Sequence, residues 1–381
     1  MSDHHVEHEH RVTPLELFFD LVFVFAITQV TTLLSDDPTW AGLGRGLLVL
    51  AALWWAWTAY AWLTNTVDPD EGAPRLAMLA AMAAMLVASL AVPGAFGDDG
   101  VIFGVAYLIV RAMHIALYAL AGRGDRDLLG AVLRMTPSSF AGSALIIAAG
   151  FLDGPVRPAL WAIALAIDYG GVLIGAGQGW RVHPAHFAER HGLIIIIALG
   201  ESIVAAGVGA KGTPLDAGVI AAAVLGLAAA ASFWWAYFDF FAIRAQQELT
   251  RRRGAARASL ARDAYSYLHL PLVAGIILFA LGMKKTLEHV GDELELIPAL
   301  GLCGGSALYL LAYSGVRWRV ARRVSTGRLI AALAFLLLWP VATEVTALAA
   351  LALATAVWIA LHVYEVVWWW EERAQARAAR A

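Results

Sequence analysis

Apolar residues in this chain neither alternate with polar ones nor recur every three or four positions. They fill long unbroken stretches separated by short polar breaks. Stretches of about 20 residues carry a helix across a hydrocarbon core. Twelve can be marked, over 15–34, 43–63, 75–96, 100–121, 128–151, 156–178, 190–210, 215–243, 263–283, 296–316, 327–342 and 345–370. Continuous apolarity without period-2 alternation excludes a β-barrel. The fifth stretch is interrupted by Arg134, Pro137 and two serines, and the eleventh ends at Pro340. The pattern predicts an all-α polytopic membrane protein of about 12 transmembrane helices.

Composition agrees. Of the 381 residues, 60% are hydrophobic and 15% charged, against about 25% charged in soluble domains. The mean hydropathy is +0.69. The one cysteine, Cys303, excludes an internal disulfide framework. The opening segment "MSDHHVEHEHRVTP" lacks the basic region and small-residue cleavage site of a signal peptide, so the first apolar stretch is expected to be retained.

The charges set an orientation. If both termini face the cytoplasm, the cytoplasmic ends and loops hold 20 of the 27 Lys and Arg, and the opposite side holds Arg45, Arg157, Lys211, Lys284 and Lys285. Such a bias supports an even number of spans. The outer loops are acidic: "SDDP", "GDDG" and "EHVGDELE".

The stretches also repeat. "LFFDLVFVFAITQV" (17–30) aligns with "ERHGLIIIIALGES" (189–202), placing Leu21 on Leu193, Ala26 on Ala198 and Gln29 on Glu201. The next stretches agree as well, "LWWAWTAYAW" (53–62) with "FWWAYFDFFA" (233–242). Two matches in order suggest a duplicated six-helix unit, and an even number of spans per unit makes the halves parallel. The expected division is a cytoplasmic polar tail at 1–14, repeats at 15–180 and 181–370, and a cytoplasmic basic tail at 371–381.

The stretches "RVTPLELFFDLVFVFAIT" and "HFAERHGLIIIIALGESIV", with their spacing, resemble the bacterial low temperature requirement A (LtrA) family over nearly the whole chain. The resemblance implies a polytopic bacterial membrane protein and a part in stress adaptation, and it implies no particular reaction. A narrower likeness is confined to the first span. Arg11, Phe18, Phe19, Asp20, Phe23 and "AIT" at 26–28 resemble the first helix of potassium channels built from paired six-span units, with Phe19 where those carry serine.

A charge at the bilayer centre costs about 3 kcal/mol on insertion scales, so intramembrane ionisable residues mark partners or pathways. Asp20 lies about one turn inside the first helix, behind the Thr13–Glu16 capping-box spacing and Pro14. Glu16 reads as an interfacial cap. Glu201 follows a run of apolar residues near the midplane, with Gln29 as its repeat partner. Arg111 and His114, three apart, share a helix face, and Arg111 is the natural counter-ion of Glu201, Asp20 or Asp168. Asp239 and Glu365 read as interfacial, "WWW" at 368–370 as an aromatic belt, and His269 precedes a kink at Pro271. His183, His186, Glu189 and His191 read as helix-end and surface residues rather than metal ligands.

The ion-pathway candidates are therefore Glu201, Asp20, Asp168, Arg111, His114 and Gln29. No catalytic residue, metal site or cofactor is expected, because no phosphate loop, zinc-protease helix or nucleophile elbow occurs. The basic run "RRRGAARASLAR" suits anionic lipid rather than nucleic acid. Expected partners are membrane lipids and an ion or small solute, with a homo-oligomer left open. The expected function is a transporter or channel. A membrane enzyme acting on a lipid or quinone-like substrate, and a non-transporting cold-adaptation protein, are the alternatives.

Overall fold

A computed structural model describes residues 12–67, 69–70, 72–174, 177–239 and 241–368. Arg11, the amino-terminal histidines, Trp369, Trp370 and the basic tail at 371–381 lie outside them. The described residues are helical throughout and form no β-strand. The helices are α1 (Pro14–Asp36), α2 (Trp40–Thr64), α3 (Gly72–Leu90), α4 (Gly100–Ala121), α5 (Arg126–Gly150), α6 (Val156–Gly171), α7 (Pro184–Gly209) and α8 (Ala217–Phe238). After them come α9 (Phe241–Arg251), α10 (Gly254–Leu260), a π-helical turn (Ala261–Tyr267), α11 (His269–Glu288), α12 (Leu296–Ala321), α13 (Thr326–Ala342) and α14 (Ala347–Trp368).

Ten helical segments among the described residues are long and apolar enough to cross a membrane, and α13 is a shorter apolar helix. The helix α6, with 16 residues, falls below spanning length on its own. Large apolar side chains such as Leu21, Leu76, Val224, Leu227, Ile330 and Leu337 are exposed. In water such surfaces would be a liability; a lipid solvent accounts for them.

Local chemistry sets the helix starts. Thr13 caps α1 in a reciprocal capping box with Glu16, and Pro14 occupies the first turn. Asp125 caps α5, and Asp216 caps α8. Bilayer packing favours small residues, since helices gain little there from burying apolar surface. The pair α11–α12 follows that rule: a Cβ at Gly275 would lie 2.6 Å from the Gly305 carbonyl oxygen, so the two backbones touch.

Interhelical contacts give relative directions. The α1–α7 pairs Glu16–His186 and Thr28–Glu201 have sequence separations of 170 and 173. A nearly constant separation along two helices means that they run parallel. The α8–α14 contacts Leu225–Thr355 and Ser232–His362 both have a separation of 130, so this pair is parallel too.

Candidate functional site

The seam between α1 and α7 gathers the largest group of buried charged side chains among the described residues: Glu16, Asp20, Arg190 and Glu201. At its amino-terminal end, His186 Nε2 lies 3.1 Å from Glu16, and the Asn65 amide meets His186 Nδ1 at 2.9 Å. With the Asn65 amide donating to Nδ1, the His186 Nε2–H is left to donate to Glu16. Arg190 is fully buried, with Nη2 3.0 Å from Asp20 and Nε 3.7 Å from Glu16. Trp57 Nε1 donates to Asp20 at 2.9 Å. The Trp57 ring also stacks against Arg190, its centroid 5.7 Å from the guanidinium carbon. Burying either charge alone would cost several kcal/mol; together they offset one another, while Asp20 Oδ2 and the Arg190 N–H groups make no hydrogen bond of ordinary geometry.

Three turns further along α7, on the face that carries Arg190, lies Glu201, at 1% exposure. Thr28 Oγ1 sits 2.5 Å from its Oε2 and 3.1 Å from the Val24 carbonyl. A hydroxyl has one proton to donate, so these two acceptors compete for it. A proton or a cation on the carboxylate removes that competition. Glu201 sits about 12 Å from the carboxyl-terminal end of α7, at 1.5 Å per residue.

The other buried carboxylates among the described residues are Glu16, Asp20, Asp168 and Glu365. Each has a base. Arg111 Nη2 bonds Asp168 at 2.9 Å and Ser139 Oγ at 2.6 Å, joining α4, α5 and α6. Arg328 holds Glu365 with two bonds, of 2.6 and 3.1 Å, and lies 3.6 Å from the centre of the Tyr313 ring. Only Glu201 has no basic side chain within 4.0 Å among the described residues.

The sequence-predicted residues therefore separate. Arg111 meets Asp168, while Asp20 is met by Arg190 and Glu201 by no arginine. Asp20 and Glu201 share the α1–α7 seam; Arg111, His114 and Asp168 form a second group in the first half. Gln29 is half-buried, and its neighbour Thr28 makes the contact to Glu201. Glu16 and Glu365, read as interfacial, are buried ion-pair members. His186 and His191, read as surface residues, are buried too, and His191 is ringed by Trp54, Trp57, Phe187, Tyr265 and His269. Arg190 and Arg328 had been counted among the loop cations. The signal that marks Arg190 was present: it follows His186 by one helical turn and falls within the segment that aligns with the first span.

The chain matches the family model described as bacterial low temperature requirement A protein (LtrA) over residues 11–363. It is similar to the uncharacterized protein RA0937 of Rhizobium meliloti (strain 1021), with 33% identity over 328 residues, covering 81% of this chain and 77% of that protein. No solved structure matches it.

Proposed function

The chain belongs to the bacterial low temperature requirement A (LtrA) family of membrane proteins, and from that premise we propose that it is a transporter or channel for an ion or small solute, with Glu201 as the carboxylate in its pathway. One observation carries the reading: Glu201 is a buried membrane carboxylate held by a threonine hydroxyl and, among the described residues, ion-paired with no arginine, lysine or histidine. A permanent structural role would call for a fixed counter-charge, as Asp20, Asp168 and Glu365 have. A group that exchanges a proton or cation needs the counter-charge to come and go.

The proposal includes the architecture. Twelve crossings form two parallel six-helix halves, over 15–180 and 181–370, in the inner membrane with both termini cytoplasmic. The parallel course of α1 and α7 supports this. Glu201 then lies where the first helices of the two halves meet, which is where transporters with repeated halves place their sites.

The test is flux through the purified protein in liposomes carrying a trapped pH indicator and imposed gradients of H⁺, Na⁺, K⁺ or Cl⁻. Glu201→Gln is expected to reduce flux at least tenfold or to abolish its dependence on pH, and Thr28→Val to give an intermediate loss. Flux in Glu201→Gln equal to that of the parent removes Glu201 from the pathway. A second reading, a non-transporting stress-adaptation protein, is favoured by the closed pairing of the other buried acids. It predicts no flux from any gradient and lowered thermal stability on breaking each pair.

A further inference from the structure

A second polar centre in the first half takes no part in the Glu201 pathway. A cavity of about 50 Å³ lies among α2, α4, α5, the segment after α6 and the stretch from α10 into the π-helical turn. Trp55, Thr58, Arg111 and His114 line it, and each is 4% exposed or less. Trp55 Nε1, Thr58 Oγ1 and Arg111 Nε make no hydrogen bond of ordinary geometry, and the Ala59 carbonyl can satisfy no more than one ring nitrogen of His114. Leaving one such group unsatisfied costs about 1–3 kcal/mol, so several around one space call for an occupant.

The chemistry of these groups selects it. The indole and guanidinium N–H groups only donate, and the Thr58 hydroxyl and the His114 ring can each donate as well. No carboxylate lines the cavity among the described residues. Arg262 stands on the wall, with its carboxylate partner Asp263 outside the lining, 2.7 Å away. Arg111 likewise spends Nη2 on Asp168 and keeps Nε unused. The cavity thus presents donors and two guanidinium groups to a small occupant. Size narrows the choice: an aromatic ring needs a cavity of about 150 Å³, while one of a third that volume admits a few waters or one small ion. We propose that this cavity is a binding site for a small monovalent anion, a halide or a planar oxyanion of a few atoms, held by Arg111, His114, Trp55 and Thr58. A multiply charged anion is disfavoured, because Asp168 and Asp263 already offset much of the positive charge.

Bromide is the probe. Crystals of the full-length protein grown in bromide are expected to show an anomalous peak in the cavity. Thermal unfolding is expected to shift upward with bromide relative to gluconate at equal ionic strength, as binding to the folded state alone requires. Trp55→Phe and Thr58→Val each remove one donor and keep the shape. Each is expected to raise the half-saturating bromide concentration at least tenfold, since each removes one hydrogen bond to a charged occupant. A cavity holding waters and no anomalous peak overturns the proposal without needing any variant to fold. So does a bromide response that both variants leave unchanged, which would mark an adventitious ion only. Neither readout depends on flux through Glu201, so each proposal can fail alone.

Discussion

Glu201 and Arg111 show how differently a charge can be kept inside a bilayer. The charge of Arg111 is met within the protein: its Nη2 serves Asp168 and Ser139 at once. Removing one member strands the other in low dielectric, whereas removing both strands nothing. Asp168→Asn or Arg111→Gln is therefore expected to destabilise the protein by about 3–5 kcal/mol, and Arg111→Met with Asp168→Leu by less than either alone. Unfolding in detergent, followed by near-ultraviolet circular dichroism, measures both; a double variant less stable than each single one contradicts the pairing. Sequence reasoning could find the acids because an Asp or Glu inside an apolar run stands out against its neighbours. It named Arg111 as a counter-ion without choosing among Glu201, Asp20 and Asp168, and it missed Arg190 and Arg328 as partners. Arg190 looked like a loop cation because the apolar run begins near it, yet α7 starts at Pro184. That places Arg190 well inside the helix, turned toward α1. Which way a side chain points depends on the helix start and the neighbour it meets, and composition carries neither.

At the scale of elements the hydrophobic pattern was a good guide to existence and a poorer one to shape. Every predicted stretch coincides with helix, including the fifth, where Pro137 sits inside α5, and the eleventh, where Pro340 sits inside α13. The eighth stretch ends early: α8 stops at Phe238 and α9 carries on as a separate helix with basic residues on its exposed side. The ninth is broken by the π-helical turn, which no periodicity announces. Its wider pitch leaves the Ala264 carbonyl to His269 Nδ1 at 2.7 Å and the Ser266 carbonyl to Trp54 Nε1 at 2.7 Å. Glycines, by contrast, mark a contact that can be tested. In α12 a Cβ at Gly305 would meet the Gly275 carbonyl oxygen at 2.6 Å and the Phe279 nitrogen at 2.8 Å, both backbone atoms. At Gly207 of α7 a Cβ would meet nothing within 4 Å. Gly305→Ala is expected to cost about 1–3 kcal/mol by forcing α11 and α12 apart, and Gly207→Ala to be neutral or to gain up to about 1 kcal/mol from helix propensity. Melting temperatures of the two variants in the same detergent decide the point, and equal values would mean that α11 and α12 are not in backbone contact.

For the whole molecule, direction constrains number. Consecutive spans alternate in direction, so α1 and α7 can run parallel only if an even number of reversals lies between them. With α2, α3, α4 and α5 each crossing, α6 must cross as well. The same reasoning applied to the parallel pair α8 and α14 requires α13 to cross. Both helices are short: 16 and 17 residues give about 24 and 26 Å, against a hydrocarbon core of about 30 Å. In the proposed twelve-span architecture Leu173 and Ile174, which continue the exposed apolar surface beyond α6, make up part of the deficit, and a locally thinned bilayer would supply the rest at fractions of a kcal/mol per Å. The residues flanking α6 are suited to a labelling experiment. The Asp153 side chain is 99% exposed and that of Arg181 71%, while the native Cys303 is buried. Asp153→Cys is expected to react with a membrane-impermeant maleimide on intact spheroplasts, and Arg181→Cys only after permeabilisation. Glu344→Cys and Arg323→Cys, on either side of α13, are expected to divide in the same way. Labelling of both flanks of α6 from one side would make it a re-entrant element, reverse α7 relative to α1, and contradict the facing of Thr28 and Glu201 on which the two-half architecture rests.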